Sequence, residues 1–285
     1  MGLFKSLQKK SRAFCFNRLL ENVKAKKLRP FSVNEQGIWF NTAYGFSIYS
    51  NMKDKILKLD VNPVWAQIES SFILANVTKG NFFIDVGANI GYFSLLAAHQ
   101  CKASVLAIEP IPKTYEMLTM NIEHNELREL IEPVNVALGN EESVIRFTAS
   151  LGPKNHAEYE VNNIHSKYPT IEVPVTTLDN LLRCKKACQK IDFIKVDIEG
   201  FEYRFLQGAV QTIKDFRPIL LMEIVGHRLV KYGAAAQKVF VFMKDLGYDY
   251  LCITQNSIRN HGNWQEDLMQ GSNFIFYSHD RVPVY

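Results

Sequence analysis

Residues 81–94 read Asn81-Phe82-Phe83-Ile84-Asp85-Val86-Gly87-Ala88-Asn89-Ile90-Gly91-Tyr92-Phe93-Ser94. An apolar run ends in a carboxylate, a turn carries Gly87 and Gly91, and a helix-like segment follows from Tyr92 to Gln100. This is a strand, a tight turn and a helix start. Glycine has no Cβ, so such a turn lets the backbone come close to a nucleoside-type ligand. The next apolar run, Val105 to Ile108, ends in a second carboxylate, Glu109. It falls in the window where an acidic residue reaches ribose hydroxyls.

The pattern is not the dinucleotide fingerprint, whose glycines place a pyrophosphate on the helix N-terminus. Asp85 would repel a pyrophosphate but suits an ammonium group. A ribose, an adenine and a zwitterionic amino acid together make S-adenosylmethionine, the cofactor expected here. The bland alternative is a glycine turn that serves only close packing of helix on sheet. It leaves the two strand-end carboxylates unexplained.

From Phe82 onward apolar runs alternate with helical patterns. The runs are Phe82–Val86, Ser104–Ile108, Ile131–Val136, Phe193–Val196, Ile219–Ile224, Tyr248–Ile253 and Asn273–Tyr277. Helices are expected at Tyr115–His124, Glu202–Lys214 and Ala234–Leu246. Seven runs separated mostly by helices predict a parallel α/β sheet. The last two runs lack a clear helix between them and should pair antiparallel at one edge. Residues 140–176 interrupt the alternation with two further strands, Ser143–Thr148 and Ile171–Val175, around a polar loop. Upstream, 36–50 reads as a hairpin. Val64–Val77 reads as a helix whose expected task is to cover the mouth of the cleft. The expected organisation is a basic helix over 1–30, a hairpin and cap helix over 31–79, and the main domain over 80–285.

The chain has 285 residues and a net charge of +4, unevenly placed. Residues 1–30 carry nine Lys and Arg against Glu21 alone, which leaves the rest mildly acidic and without a nucleic-acid face. Residues 1–29 read as one amphipathic helix ended by Pro30. It is either a peripheral contact to an anionic membrane or a solvated basic helix. The five cysteines are scattered and complete no zinc site, so free thiols in a cytoplasmic protein are expected.

A second stretch, Ile191-Asp192-Phe193-Ile194-Lys195-Val196-Asp197-Ile198-Glu199-Gly200-Phe201-Glu202, runs a strand into a carboxylate cluster. Ligands of open α/β sheets bind beyond the strands' carboxyl ends, so Asp85, Glu109, Asp197 and Glu223 should share one rim. Three readings stay open for this cluster. Asp197 or Glu199 holds the cofactor ammonium or acts as a general base. Or the carboxylates bind Mg²⁺, which is not the expectation. Or Glu199 and Glu202 cap the next helix.

These motifs resemble the FkbM family of S-adenosylmethionine-dependent methyltransferases. The resemblance rests on Asp85–Ser94, Glu109-Pro110, Asn135–Gly139, Thr177-Leu-Asp179 and Lys195–Glu202, in that order. It implies the class I methyltransferase fold, a Rossmann-like seven-stranded sheet with one reversed edge strand. It also implies O-methylation of a sugar, glycan or polyketide-type hydroxyl. Asp85, Gly87, Asn89 and Gly91 would line the cofactor, Glu109 would hold its ribose and Ala137 would lie near its adenine. The resemblance assigns no role to Asp197, Glu199 and Glu202 of the acidic motif, and Asp197 is expected beside the cofactor from its strand-end position alone. A base for the acceptor hydroxyl would come from Asp197, Glu199, Glu223 or His227. His156, His165, Asn155, Tyr159 and Tyr168 lie in the polar loop, where they would meet the acceptor or solvent. The competing enzyme class, a nicotinamide-dependent sugar oxidoreductase or epimerase, needs a Tyr-x-x-x-Lys pair after the glycine turn. The only such pair, Tyr49 and Lys53, precedes it. A non-catalytic adapter that keeps the cofactor fold is the other alternative.

Overall fold

A computed structural model describes residues 31–34, 37–50, 66–148, 157–158, 170–184, 190–254, 257–259 and 262–285. The basic segment 1–30 and most of the polar loop, with its two histidines, lie outside the described residues. The chain divides into two compact units, the second beginning at Ile68.

In the first unit, β1 (Phe31–Asn34), β2 (Gly37–Asn41) and β3 (Ser47–Ser50) form an antiparallel sheet in chain order. β2 and β3 are the expected hairpin. Its turn is closed by Thr42, whose N–H and Oγ1 both donate to the Phe46 carbonyl. Trp39 and Tyr49 are register partners and meet edge to face, with centroids 5.4 Å apart.

The second unit takes in all but the first residue of α1 (Gln67–Asn76), followed by β4 (Phe82–Val86), α2 (Tyr92–Cys101), β5 (Ser104–Ile108), α3 (Pro112–His124) and β6 (Ile131–Val134). A small sheet comes next, built from β7 (Ala137–Leu138), β8 (Ser143–Thr148), β9 (Ala157–Glu158) and β10 (Thr170–Thr176). The chain returns through α4 (Leu178–Cys184), β11 (Phe193–Val196), α5 (Glu202–Gln207), α6 (Val210–Phe216) and β12 (Ile219–Glu223). It ends with α7 (Gly226–Lys231), α8 (Ala236–Asp245), β13 (Tyr248–Ile253), β14 (Ile258–Arg259), α9 (Trp264–Gln270) and β15 (Asn273–Ser278).

The central sheet runs β14-β13-β15-β12-β11-β4-β5-β6. β6, β5, β4, β11 and β12 are mutually parallel. β15 is reversed and lies between β12 and β13, antiparallel to both, and the two-residue β14 at the edge is antiparallel to β13. All seven expected runs are strands of this sheet. The strands are buried through most of their length, as a parallel sheet covered by helices requires.

Three helix expectations change. The stretch 202–214 is two helices rather than one. A Cβ on Gly208 would stand 2.0 Å from the Gly139 carbonyl oxygen, so the chain presses there against the small sheet. The second piece, α6, is capped from a distance by Asp179. Its carboxylate accepts from the Gln211 and Thr212 N–H groups and from the Thr212 hydroxyl. A helix, α9, also separates β13 from β15, started by Asn263, whose side chain accepts from the Gln265 N–H. It was hidden by its shortness and its polar composition. Finally, α1 lies along a sheet face. Phe72 meets Phe193, which stacks on Phe83, and Glu69 accepts from Asn273 at the carboxyl rim.

Candidate active site

The turn after β4 is fixed by backbone geometry. The Gly87 and Ala88 N–H groups both donate to the Ile108 carbonyl at 2.9 Å. Gly87, Asn89 and Gly91 all have positive φ, of +79°, +52° and +96°. The two glycines also make room for protein. A Cβ on Gly87 would lie 2.0 Å from the Asp197 carbonyl oxygen, and one on Gly91 would lie 2.5 Å from a Leu118 methyl. The fully buried Asn121 donates to the Ile90 carbonyl and pins the turn from α3. The glycines thus bring Asp197 and α3 close to the turn, a packing duty that the sequence reading gave to the bland alternative.

Asp85 is 1% exposed. It accepts from the Ser94 hydroxyl at 2.6 Å and lies 4.0 Å from Lys195 Nζ, while its Oδ1 is buried without a hydrogen bond. Burial raises its pKa, and Lys195 and Ser94 oppose the rise. Lys195 also donates to Asp197 at 3.3 Å and lies over the Phe93 ring. Burial works against the Lys195 charge, but Asp197 and Asp85 outweigh it and hold the ammonium above its ordinary value.

Glu109 follows β5 and is 6% exposed. One oxygen accepts from the Asn89 N–H at 2.9 Å and the other from the Ile111 N–H at 3.0 Å. Burial pushes its pKa up to about 7 against those two bonds. Asn135, in the motif that follows β6, donates to the carbonyls of Glu109 and Pro110. Ala137 is buried in β7 among Ile111, Val175 and Phe201.

The acidic motif splits by role. Glu202 is 1% exposed and accepts from the Gly200 N–H, so it serves its own turn. Gly200 has φ +112°, and a Cβ there would meet the Arg228 carbonyl at 2.7 Å. Asp197, Glu199 and Glu223 are half-buried, and one oxygen from each lies within 4.8 Å of the others. Arg228 Nη1 lies 2.6 Å from Glu199 and donates to Glu223 at 2.6 Å. Burial, then the Asp197 charge, raises Glu223 to about 7, with Arg228 opposing.

The four carboxylates expected to share one rim do so. Asp85, Glu109, Asp197 and Glu223 all stand at the carboxyl ends of adjacent parallel strands, with Glu199 in the turn beyond. His227 is exposed in the first turn of α7. Among the described residues no hydrogen bond or ion pair joins it to the carboxylates. Two cations were missed as site residues. Lys195 had a signal, a lone charge inside the run Phe193–Val196 that ought to be buried. Arg228 had none, because only the fold brings it from α7 onto both glutamates.

A family model for the FkbM methyltransferase domain matches residues 85–250. The chain belongs to the FkbM methyltransferase family. Two curated methyltransferases are similar to it. Methyltransferase sdnD of Sordaria araneosa is 26% identical over 183 residues, covering 54% of this chain and 71% of the relative. The hexuronic acid methyltransferase AglP of Haloferax volcanii is 24% identical over 151 residues, covering 52% and 58%. A crystal structure of an FkbM methyltransferase from Methylobacillus flagellatus superposes with a TM-score of 0.45 at 18% identity, over 70% of this chain and 44% of that one. The matched span includes the glycine turn, Glu109, the acidic motif and Arg228. No helix among the described residues is long and apolar enough to cross a membrane.

Proposed function

We propose that this methyltransferase uses S-adenosylmethionine to methylate a hydroxyl of a sugar, a glycan or a polyketide-type small molecule. When bound, the cofactor supplies an electrophilic methyl group on a sulfonium. The residues fit such a group. Each Glu109 oxygen accepts one backbone N–H and keeps a lone pair for a ribose hydroxyl. Asp85 brings a buried acceptor to the end of β4, beside the turn of Gly87, Asn89 and Gly91. Ala137 offers backbone in the wall proposed to lie near the adenine.

The observation that favours a hydroxyl acceptor is Glu223. A hydroxyl is a poor nucleophile and gains from a base whose pKa lies near neutrality. Glu223 is raised to about 7 and is half-buried at the rim, within reach of Asp197 and Glu199. We assign it the proton of the acceptor hydroxyl, with Asp197 and Glu199 shaping the same space. His227 is the weaker candidate. The hexuronic acid specificity named for the Haloferax volcanii relative makes acidic sugars the first acceptors to try. A peripheral membrane contact through residues 1–29 remains a proposal from sequence alone.

Calorimetric titration with S-adenosylhomocysteine, with NAD in parallel, tests the reading. Binding of the first alone is the expected result. Binding of NAD alone would overturn it in favour of an oxidoreductase. Binding of S-adenosylhomocysteine with no methyl transfer from S-adenosylmethionine to any hydroxyl acceptor would favour the adapter.

A further inference from the structure

Three carboxylates within 4.8 Å of one another have the spacing of an oxygen-ligand cation site, since such ligands sit about 2.0–2.6 Å from Mg²⁺ or Ca²⁺. A cation is already there, and it belongs to the protein. Arg228 Nη1 stands 2.6 Å from Glu199 Oε2 and 2.6 Å from Glu223 Oε2. One nitrogen thus bridges the turn after β11 and the end of β12. The Arg228 backbone carbonyl meanwhile lies against Gly200, where any Cβ would collide with it. The arginine is fastened at both ends to the motif it neutralises. Its side chain is 29% exposed and those of Glu199 and Glu223 are 25% and 23%, so all three border the same partly open space.

Glu199 itself has φ +58°, a left-handed conformation that a side chain with a Cβ rarely adopts. Such strain persists where the surroundings over-determine it. Here the surroundings are Gly200 on one side and the Arg228 pair on the other. We propose that Arg228 is a positioning residue that takes the place of a divalent ion. It holds Glu199 and Glu223 side by side toward the acceptor and makes the acidic rim independent of metal. The charged groups around Glu223 are Asp197 and Lys195 from β11 and its turn, Glu199 from the same turn, and Arg228 from α7. Arg228 supplies the cation shared by the two glutamates, while Lys195 serves Asp85 and Asp197.

The inference extends the proposed reaction, but its test needs neither cofactor nor acceptor. Its failure would leave methyl transfer standing. The full chain is titrated with Mn²⁺ alone and free ion is read by electron paramagnetic resonance. The wild type should leave Mn²⁺ free, while Arg228→Met should bind it with a dissociation constant on the order of 10⁻⁴–10⁻³ M. Glu223→Gln added to Arg228→Met should abolish that binding. Wild-type binding that Glu223→Gln removes would overturn the proposal, because the trio would then be a metal site. A folded Arg228→Met that gains no Mn²⁺ would overturn it as well. If Arg228→Met does not fold, Arg228→Lys decides. It keeps the charge, but its ammonium ends one bond short of Nη1, the nitrogen that reaches both glutamates, so the Glu223 carboxyl followed by carbon-detected NMR should titrate at higher pH than in the wild type. An unchanged titration would remove Arg228 from the role.

Discussion

Lys195 and Asp85 are register partners on neighbouring parallel strands, with Nζ 4.0 Å from Oδ1 and both side chains buried. Removing one member of a buried pair strands the other charge in a poorly solvated site. Lys195→Met should therefore destabilise the protein by about 3–5 kcal/mol, read as a lower urea midpoint. Adding Asp85→Asn should restore part of the loss, since it removes the stranded charge. Two additive losses would show that the residues do not act as a pair.

Gly87 and Gly80 give a matched comparison. Both have positive φ, of +79° and +86°, but a Cβ on Gly80 meets nothing within 4 Å. Gly80→Ala should carry the conformational cost alone. Gly87→Ala adds a collision with the Asp197 carbonyl and should cost about 1–3 kcal/mol more. Equal melting temperatures for the two variants would show that this contact yields freely.

Stability should fall as pH rises through neutrality, and Glu202 carries part of that fall. Burial lifts its pKa from 4.5 to about 7 against a bond from the Gly200 N–H. The folded state then holds the proton more tightly than the unfolded chain. Its contribution is complete below the unfolded value and is lost as pH rises through the folded one. Glu202→Gln should remove about 3 kcal/mol of pH dependence from the unfolding free energy across that window, read from urea unfolding. Glu109 and Glu223 shift in the same direction, so a smaller slope should survive. A profile unchanged by the substitution would mean that Glu202 is solvated.

Glu109→Ala should weaken S-adenosylhomocysteine binding by about 10–100-fold, the worth of one or two hydrogen bonds to a charged acceptor. Glu109→Gln should lose less, because one carbonyl oxygen remains. Unchanged affinity in both would withdraw the ribose assignment.

The central sheet was legible because each strand is a short apolar run bounded by turns, a pattern that local chemistry alone imposes. The carboxyl rim was legible for the same reason, since Asp85, Glu109, Asp197 and Glu223 each follow such a run. What could not be read was pairing at a distance. The break at Gly208 depends on Gly139, some seventy residues earlier in the chain. The second helix starts where Asp179 reaches it from another element. Arg228 finds Glu199 only because β11 and β12 are neighbours. The close approach of Gly87 to Asp197 likewise joins two motifs that the sequence reading treated separately.

The Gly208–Gly139 contact, backbone against backbone, acts as a hinge pin without play. The Thr177 and Val175 side chains close in beside it, and the Gly139 N–H is itself tied to the Thr176 carbonyl. The small sheet and the helix that begins at Glu202 are therefore geared together. The spacing between β10 and the end of that helix is therefore set by main chain, and no larger residue fits at Gly208 unless one of them moves.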